Sequence, residues 1–328
     1  MIACYTTGIF PRTKELVEVT MAYERRWASE EKLERAFEKA ALKVLDSQIS
    51  EGLSYISDGM LKWQDLFRPF TENLKGVKMG NLARWFNNNM FYRKPVIVDE
   101  IWREQSIAEK TLYIKYLPAR FPWKAVLPAP YTFIQLSENK FYKSKDEFMF
   151  KYAEILRKEI QHLAKLGFEY VQLSDPALVF KPNALPISKD EINTVNEALR
   201  VAVEGIPIKT SLQTFFGDFS QILPEALDFP VEHLGIDLYE TNFEKLKQYG
   251  FEKGVALGLV DSRSSMIEKT DELVRAAKEI INAIYPSKPR DIFICPNCDL
   301  EFLPWEYAEK KMHSLSEVAK RLREELYE

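Results

Sequence analysis

The sequence predicts an α/β protein whose parallel strands close into a (β/α)8 barrel, the TIM-barrel architecture. Eight short segments rich in aliphatic and β-branched residues are each followed by a polar or small residue, and segments with helical periodicity lie between them. Because strands that alternate with helices pair in parallel, eight of them are expected to form a closed barrel. The eight segments are residues 3–7, 54–58, 124–127, 170–175, 208–212, 233–238, 255–260 and 291–295.

The predicted helices have recognisable first turns. Ser144 and Ser188 each precede a glutamate by three residues, so each is expected to cap an exposed amide while the glutamate reaches back. Apolar residues recur at helical spacing in the other intervals. Helices are therefore expected over residues 21–49, from Ser144, from Ser188 to Val203, from Thr270 or Asp271 to Ile284, and from Trp305 to Tyr327.

The segment from about residue 76 to residue 121 interrupts this alternation between strands two and three. It is aromatic and asparagine-rich from Asn81 to Tyr92 and then continues into an extended run from Pro95 to Val98. An insertion of this size is most simply a hairpin or lid at the barrel mouth. Since no linker or internal repeat is visible, residues 1–328 are expected to form a single barrel domain that carries this insertion.

Composition narrows the range of partners. Charged residues make up 29% of the chain, but the net charge is only −4. There is no basic stripe of the kind that binds nucleic acid, and no apolar run is long enough to cross a bilayer. The three cysteines do not form a disulfide framework. We therefore expect a cytoplasmic protein that acts on small molecules, without nucleic acid or membrane as partner.

Aspartates follow several of the predicted strands, where barrels carry their chemistry. Asp58, Asp175, Asp237 and Asp261 are placed to supply acid/base groups or to bind a cation. Such aspartates can equally cap the helix that follows the strand. The residue type and position alone leave both interpretations open.

Cys295 and Cys298 have the spacing of a zinc knuckle or a redox pair. A structural zinc site needs about four ligands, and no second cysteine pair follows, while His162, His233 and His313 lie far apart in the sequence. Cys298 follows the end of its strand, so its thiol is the one expected at the barrel mouth.

Taken in chain order, five strand-end segments resemble those of cobalamin-independent methionine synthase over nearly the whole chain. That family is built from two related barrels, and this chain has the length of one. The similar segments are Thr6–Thr13 (family Gly-x-Phe-Pro), Pro130–Thr132 (Gly-Pro-x-Thr), Gln172–Leu178 (Gln-Ile-Asp-Glu-Pro-Ala-Leu), Val260–Arg263 (Val-Asp-Gly-Arg) and Pro296–Leu300 (Pro-Asp-Cys-Gly-Leu).

The resemblance implies methyl transfer from a methylated reduced pterin, as co-substrate, to homocysteine. In the family's catalytic barrel a zinc ion held by His, two Cys and Glu lowers the pKa of the homocysteine thiol. Here Gln213 and Phe215 stand in place of the His-x-Cys pair, and the glutamate falls near Tyr239 or Glu240. Zinc is therefore not expected in this chain alone, and Cys298 and Glu240 are its remaining candidate ligands.

Thr214–Asp218 is similar to Thr-Tyr-Phe-Gly-Asp in the family's N-terminal barrel, as is Val260–Arg263 to its Val-Asp-Gly-Arg. In the fused enzyme that barrel lacks zinc, packs against the catalytic barrel and helps to shape the pterin site. A free-standing copy suggests a split enzyme whose zinc-bearing barrel is a separate, paralogous chain.

The resemblance also suggests roles for individual residues. Asp175 and Asp261 are the candidate catalytic residues, and both could accept hydrogen bonds from the pterin. The rings of the insertion could stack on the pterin, or could simply pack the insertion onto the barrel rim. The candidate pterin-binding residues are Arg12, Trp85, Tyr131, Asp175 and Arg263.

Two alternative functions stay open. The first is a stand-alone thiol methyltransferase with a rearranged zinc site that uses Cys298, Glu240 and, as a further candidate, His233. The second is a non-catalytic protein that binds a pterin or a partner and has lost the chemistry.

Overall fold

The protein is described by a computed structural model that covers residues 1–180, 187–285 and 290–327. Its strands are β1 (Ile2–Cys4), β2 (Leu74–Arg84), β3 (Phe91–Arg103), β4 (Lys124–Pro128), β5 (Glu138–Asn139), β6 (Tyr170–Ser174), β7 (Lys209–Gln213), β8 (His233–Asp237), β9 (Gly254–Val260) and β10 (Ile292–Pro296). Its α-helices are α1 (Lys14–Glu24), α2 (Glu30–Ser50), α3 (Arg68–Asn73), α4 (Ile107–Thr111), α5 (Pro130–Gln135), α6 (Lys145–Lys165), α7 (Lys189–Val203), α8 (Phe243–Leu246), α9 (Thr270–Ile284) and α10 (Trp305–Tyr327). Short 3-10 turns occupy Ile114–Tyr116, Pro176–Leu178, Phe219–Ile222, Glu225–Asp228 and Leu300–Phe302.

The central sheet of the described chain has seven parallel strands in the order β1-β10-β9-β8-β7-β6-β4. α-Helices run between most successive strands, as the alternation in the sequence predicts, but the connection between β7 and β8 contains the 3-10 turns Phe219–Ile222 and Glu225–Asp228 instead. The α/β class and the TIM-barrel-like arrangement are therefore confirmed. None of the helices in the described ranges has the length and apolar character that crossing a membrane requires.

The prediction of a regular second strand over residues 54–58 was wrong. This segment forms only an isolated bridge between Ile56 and Trp123. It nevertheless lies between the two edge strands, because the Ser54 amide donates to the Cys4 carbonyl at 2.9 Å. The Gln48 side chain bonds both the amide and the carbonyl of Ser57, at 3.1 and 2.7 Å. These backbone groups are the ones that would extend a strand, so the side chain of α2 ends the ladder.

The helix predictions hold with one exception. The periodic segment over residues 21–49 is two helices, α1 and α2, separated by a turn in which Arg26 has a positive φ of 60°. Ser144 and Ser188 cap α6 and α7 by accepting from the amides of Glu147 and Glu191. The bounds of α9 and α10 agree with those expected from the sequence.

The inserted segment contains a long antiparallel pair. β2 and β3 pair from Leu74–Arg103 at one end to Arg84–Phe91 at the other, and β5 adds parallel to β3. At the turn, Trp85 packs edge-on against Phe67, with 5.5 Å between ring centroids. Whether this segment acts as a lid stays a prediction.

The interior of the barrel changes from aromatic to polar along the strands. Tyr5, Tyr55, Tyr170 and Phe293 form a buried aromatic cluster. On β6, Gln172 and Ser174 follow Tyr170 at two-residue spacing and so lie on the same face. Their neighbours by register on β7 are Ser211 and Gln213. Polar side chains therefore fill the interior towards the carboxyl ends of the strands.

Candidate active site

A cavity of about 390 Å³ opens at the carboxyl ends of the strands, the face on which barrels carry their active sites. Small-molecule sites span roughly 300–1,000 Å³, so this volume is sufficient for a ligand. Its walls come from the β2–β3 turn and from the segments that follow β6, β7, β8 and β9. The lining residues are Asn87, Asn88, Val179, Phe180, Phe216, Gly217, Asp218, Gln221, Glu240 and Arg263.

Aromatic rings form one wall of this cavity. Phe86, next to the lining residue Asn87, lies 4.8 Å from the Phe180 ring and 5.6 Å from the Phe216 ring, measured between centroids. Phe86 and Phe216 have positive φ angles of 50° and 66°, a conformation that costs of order 1–3 kcal/mol for a non-glycine residue. At Gly217 a Cβ would overlap the Val179 carbonyl oxygen, so the two segments meet backbone to backbone.

Asn297 organises the polar side of the mouth. Its amide nitrogen donates to Oδ1 of Asp237 and to Oδ1 of Asp261, both at 3.3 Å, and its Oδ1 accepts from the Ser262 amide at 2.9 Å. Asp237 also accepts from the amides of Phe216 and Tyr239. Burial raises the pKa of Asp237 to about 6, against the opposing effect of Arg263 and these hydrogen bonds.

Arg263 contributes the guanidinium group of the cavity. Its Nη1 bonds Glu240 Oε1 at 2.6 Å, and its Nε lies 3.4 Å from Asp261 Oδ1. The structure thus brings together three residues that the sequence singled out, Asp261, Arg263 and Glu240. Glu240 is engaged by a cation, which competes with any role for it as a metal ligand.

Asp175 lies at the end of β6 and is fully buried. Its Oδ1 accepts from the Thr132 amide at 2.9 Å and from the Thr132 hydroxyl at 2.5 Å. Its Oδ2 has no hydrogen-bond partner among the described residues. Burial outweighs the two Thr132 bonds and raises the pKa of Asp175 to about 7. At neutral pH this carboxyl group is therefore partly protonated, and one of its oxygens lacks a partner among the described residues, although Asp175 is not one of the residues that line the cavity.

The positions that would hold zinc in the family do not fit a metal ion here. The Gln213 side chain is fully buried, and neither its nitrogen nor its oxygen has a partner in the described part of the chain. Phe215 packs on Phe216 with 4.8 Å between ring centroids. Across residues 1–180, 187–285 and 290–327, no group of three or more His, Cys, Asp or Glu side chains is arranged to hold an ion. A neutral amide and a phenyl ring cannot replace imidazole and thiolate.

Cys298 contacts the polar residues at the barrel mouth through its backbone carbonyl and not through its thiol. Its carbonyl accepts from the hydroxyls of Thr7 and Ser262 at 2.7 and 2.8 Å, while its side chain is completely buried. Burial and the nearby carboxylates of Asp237 and Asp299 raise the pKa of the Cys298 thiol well above its usual range. This thiol is therefore neither exposed nor ionised. Cys295 belongs to a different apolar cluster inside the barrel, so the two cysteines do not form a redox pair.

Three further candidates lie away from the cavity lining. Trp85 is 6% exposed and packs against its aromatic neighbours. Its position therefore agrees with the interpretation that the rings of the insertion pack it onto the barrel rim. The Tyr131 hydroxyl donates to Glu191 at 2.9 Å. Arg12 donates twice to the Leu61 carbonyl, at 3.2 and 2.9 Å. The pterin-binding roles of these residues stay predictions. His233 begins β8, at the end of the barrel opposite to Glu240 and Cys298, and cannot share a metal with them.

Sequence reasoning missed a buried cation in the barrel. Lys124 is 3% exposed, and its ammonium donates to the Thr6 carbonyl at 2.9 Å and lies 4.6 Å from the centre of the Tyr5 ring. Burial lowers the pKa of Lys124 to about 7. Because lysine side chains are usually exposed to solvent, the residue type gave no indication that Lys124 is buried. The adjoining Asp299 carboxylate occupies the space that a Cβ at Gly8 would need.

These features define a class of protein, an α/β barrel with a cavity and buried acids at the carboxyl ends of its strands. The family model described as "Cobalamin-independent synthase, Catalytic domain" matches residues 2–321. The chain therefore belongs to the cobalamin-independent methionine synthase family. The matching model is that of the catalytic domain, and the closer resemblance of Thr214–Asp218 and Val260–Arg263 to the N-terminal barrel stays a prediction from the sequence.

Relatives of the same length agree with this assignment. Methionine synthase of Saccharolobus solfataricus is 29% identical over 324 residues, covering 97% of this chain and 94% of the relative. That of Sulfurisphaera tokodaii is 26% identical over 321 residues, covering 97% and 92%.

Solved structures of low sequence identity share the fold. A B12-independent methionine synthase from Shewanella sp. W3-18-1, in complex with selenomethionine, has a TM-score of 0.83 at 21% identity and covers 100% of this chain and 99% of that one. A methyltransferase from Methanosarcina mazei has a TM-score of 0.61 at 13% identity, with coverages of 100% and 95%.

Proposed function

We propose that this chain is the non-zinc barrel of a two-chain methionine synthase, in which a methylated reduced pterin donates its methyl group to homocysteine. A paralogous barrel chain would carry the zinc. The observation behind this proposal is the replacement of the His-x-Cys pair by Gln213 and Phe215, together with a Cys298 thiol that is buried among carboxylates. These side chains do not make a zinc site, so the proposal assigns the metal to the partner.

The cavity supports a role in holding the pterin. A planar bicyclic ring with amino and carbonyl groups needs an aromatic wall and a few hydrogen-bonding groups. Phe180 and Phe216 would supply the wall, and Asn87 and Gln221 would supply the amides. Arg263 would attract an acidic tail, although it would first have to share its guanidinium with Glu240.

Asp175 and Asp261 would act as hydrogen-bonding groups for the substrates. Because its pKa is raised to about 7, Asp175 can donate a proton to a hydrogen bond in one form and accept one in the other. Asp261 lies at the opposite side of the mouth, oriented by Asn297 and Arg263. The proposal gives neither residue a covalent role.

The relatives support methyl transfer as the reaction class. Chains of one-barrel length, from Saccharolobus solfataricus and Sulfurisphaera tokodaii, bear the name methionine synthase. Family membership supports the same chemistry for the present chain, and its altered residues support a division of labour between two chains.

Metal analysis and reconstitution test the proposal together. The purified chain, after mild chelation, is expected to contain far less than one zinc per chain and to show no methionine formation from homocysteine and methyltetrahydrofolate. Addition of the paralogous chain that keeps the His-x-Cys pair is expected to produce activity well above that of the paralogue alone. Stoichiometric zinc in this chain, with turnover in the absence of a partner, would overturn the proposal.

Cys298→Ala separates the proposal from the stand-alone alternative. If Cys298 is not a ligand, the variant should leave metal content unchanged and the reconstituted rate within about twofold, because its side chain is buried and does not line the cavity. Simultaneous loss of metal and turnover would favour the rearranged zinc site. Tight pterin binding without any effect on the partner's rate would instead favour the non-catalytic alternative.

A further inference from the structure

A buried lysine of helix α10 holds the segment that follows β9. Lys311 lies on α10, and its side chain is fully buried. Its ammonium bonds both carboxylate oxygens of Glu268 at 2.8 Å and the Met266 carbonyl at 2.5 Å. All three acceptors belong to residues 261–269, which form neither helix nor strand.

Glu268 also forms hydrogen bonds to residues next to the candidate site. Its Oε1 accepts from the Asp261 amide at 2.8 Å and from the Tyr239 hydroxyl at 3.2 Å. Oδ1 of Asp261 in turn accepts from the backbone amide of Arg263 at 3.0 Å. A continuous set of hydrogen bonds therefore links Lys311, which lies outside the cavity, to Asp261 and Arg263 at its rim.

The segment is also held near its start, where the fully buried Ser262 bonds Asn297 and the Cys298 carbonyl, but its tip has little other anchorage. Met266 is 72% exposed and Ile267 38% exposed, so apolar side chains at its tip are not packed into the core. A buried, hydrogen-bonded ion pair is sensitive to geometry, because a small displacement leaves a charge desolvated and unpaired. The Lys311–Glu268 pair can therefore fix the backbone of the segment more narrowly than its exposed side chains can.

We infer that Lys311 and Glu268 are positioning residues, which hold Asp261 and Arg263 in place at the rim of the cavity. Neither residue lines the cavity. The inference goes beyond the proposed function, because it concerns how this rim is built. Only its ligand-binding consequence rests on that function.

Hydrogen exchange of the full chain tests the positioning directly. Lys311→Met removes the ammonium and leaves the carboxylate of Glu268, whose side chain is 13% exposed, without its cation. The Asp261 amide and the peptides covering residues 261–269 are then expected to exchange at least about tenfold faster, since local opening becomes easier. Lys310→Met is the matched control: the same change at the neighbouring, exposed lysine, whose ammonium lies over the Tyr307 ring, should leave this exchange unchanged.

A second variant keeps the test decisive if Lys311→Met does not fold. Glu268→Gln keeps an acceptor for the Asp261 amide but weakens the bond to Lys311, so faster exchange confined to the same peptides is expected. Lys311→Arg, which conserves the charge, should recover part of the protection. Unchanged exchange at the Asp261 amide in both Glu268→Gln and Lys311→Met would overturn the inference.

Binding of methyltetrahydrofolate supplies the functional readout. Misplacement of the rim is expected to weaken binding by about 10- to 100-fold in the Lys311 and Glu268 variants and to leave the Lys310 variant like the wild type. If the wild-type chain binds no pterin, the proposed function fails, while the exchange results still decide the positioning role. If the wild type binds but the variants bind equally well despite faster exchange, Lys311 acts on the fold alone and the inference is wrong.

Discussion

Asp175 and Asp261 follow two different strands of this barrel, and the two aspartates are held in different ways. Asp175, after β6, is fully buried and bonded through one oxygen only, by Thr132. Asp261, after β9, is partly exposed and receives hydrogen bonds from Arg263 and Asn297. The first carboxyl group has spare hydrogen-bonding capacity, while the second is tied into a network of side chains.

The difference teaches that residue type and strand position do not fix the chemistry of a carboxyl group. Burial without a cation raises the pKa of Asp175 to about 7, which suits proton exchange or hydrogen bonding with a ligand. Asp261 instead orders the rim around Arg263. The effects on stability of substitutions at the two strand ends should therefore differ in size and in pH dependence.

The largest effect is expected from Asp175→Asn. The folded chain holds a proton on Asp175 up to about pH 7, whereas the unfolded chain releases it near pH 4. The free energy of unfolding of the wild type should therefore fall as pH rises from about 4 to about 7, by up to roughly 4 kcal/mol from this group. The variant lacks this loss. The difference in the free energy of unfolding between variant and wild type, measured by urea denaturation, should therefore shift in favour of the variant as pH rises from about 4 to about 7.

Asp146→Asn, at an exposed position in the first turn of α6, provides the control for a charge change at the surface. It should show no comparable gain between pH 4 and 7. A relative stability of Asp175→Asn that does not change with pH would mean that Asp175 is not held in its protonated form, and the contrast with Asp261 would lose its basis.

A smaller effect is expected from Asn297→Ala. The change removes the donor that links Asp237 to Asp261 and leaves the buried Ser262 amide without its acceptor. We expect a loss of about 2 kcal/mol in the free energy of unfolding, measured by urea denaturation at neutral pH. Asn193→Ala, on an exposed position of α7, should change it by less than about 0.5 kcal/mol. Equal losses for the two variants would argue against a bridging role for Asn297.

The smallest effect on stability is expected from Arg263→Gln. The Arg263–Glu240 pair is partly exposed, with side-chain accessibilities of 32% and 38%, and such pairs contribute about 0.2–1 kcal/mol. Thermal unfolding at low and high salt, with Glu240→Gln and the double variant, isolates the contribution of the pair. A coupling free energy that exceeds this range and persists at high salt would show that the rim pair is part of the stabilising core.

Much of the fold could be predicted because its determinants are local. The bounds of α9 and α10 follow from helical periodicity, and the serine caps of α6 and α7 follow from short-range chemistry. The absence of a regular second strand could not be predicted, because it depends on the Gln48 side chain of α2, which folds back to take the backbone groups of Ser57. The turn within the segment 21–49 depends similarly on Arg26 adopting a positive φ.

The candidate site was predictable in part. Strand-end positions singled out Asp175, Asp261 and Arg263, and the structure gathers Asp261 and Arg263 at one rim. The bridging role of Asn297 could not be predicted, because the sequence does not distinguish a buried asparagine from an asparagine in a turn. Nor did the sequence place the Cys298 thiol, which lies wholly in the interior.

The sequence by itself determined the alternation of strands and helices, the family, and the presence of Gln213 and Phe215 at the positions where the resemblance predicts a His-x-Cys pair. Tertiary structure alone decided which carboxyl groups are buried, which are bridged, and which cation anchors the rim. The reason is physical: periodicity and capping act over a few residues, whereas desolvation, pKa and hydrogen bonding depend on groups brought together from distant parts of the chain. Lys311 and Asp261, which are 50 residues apart in the sequence and are joined through Glu268, show that dependence.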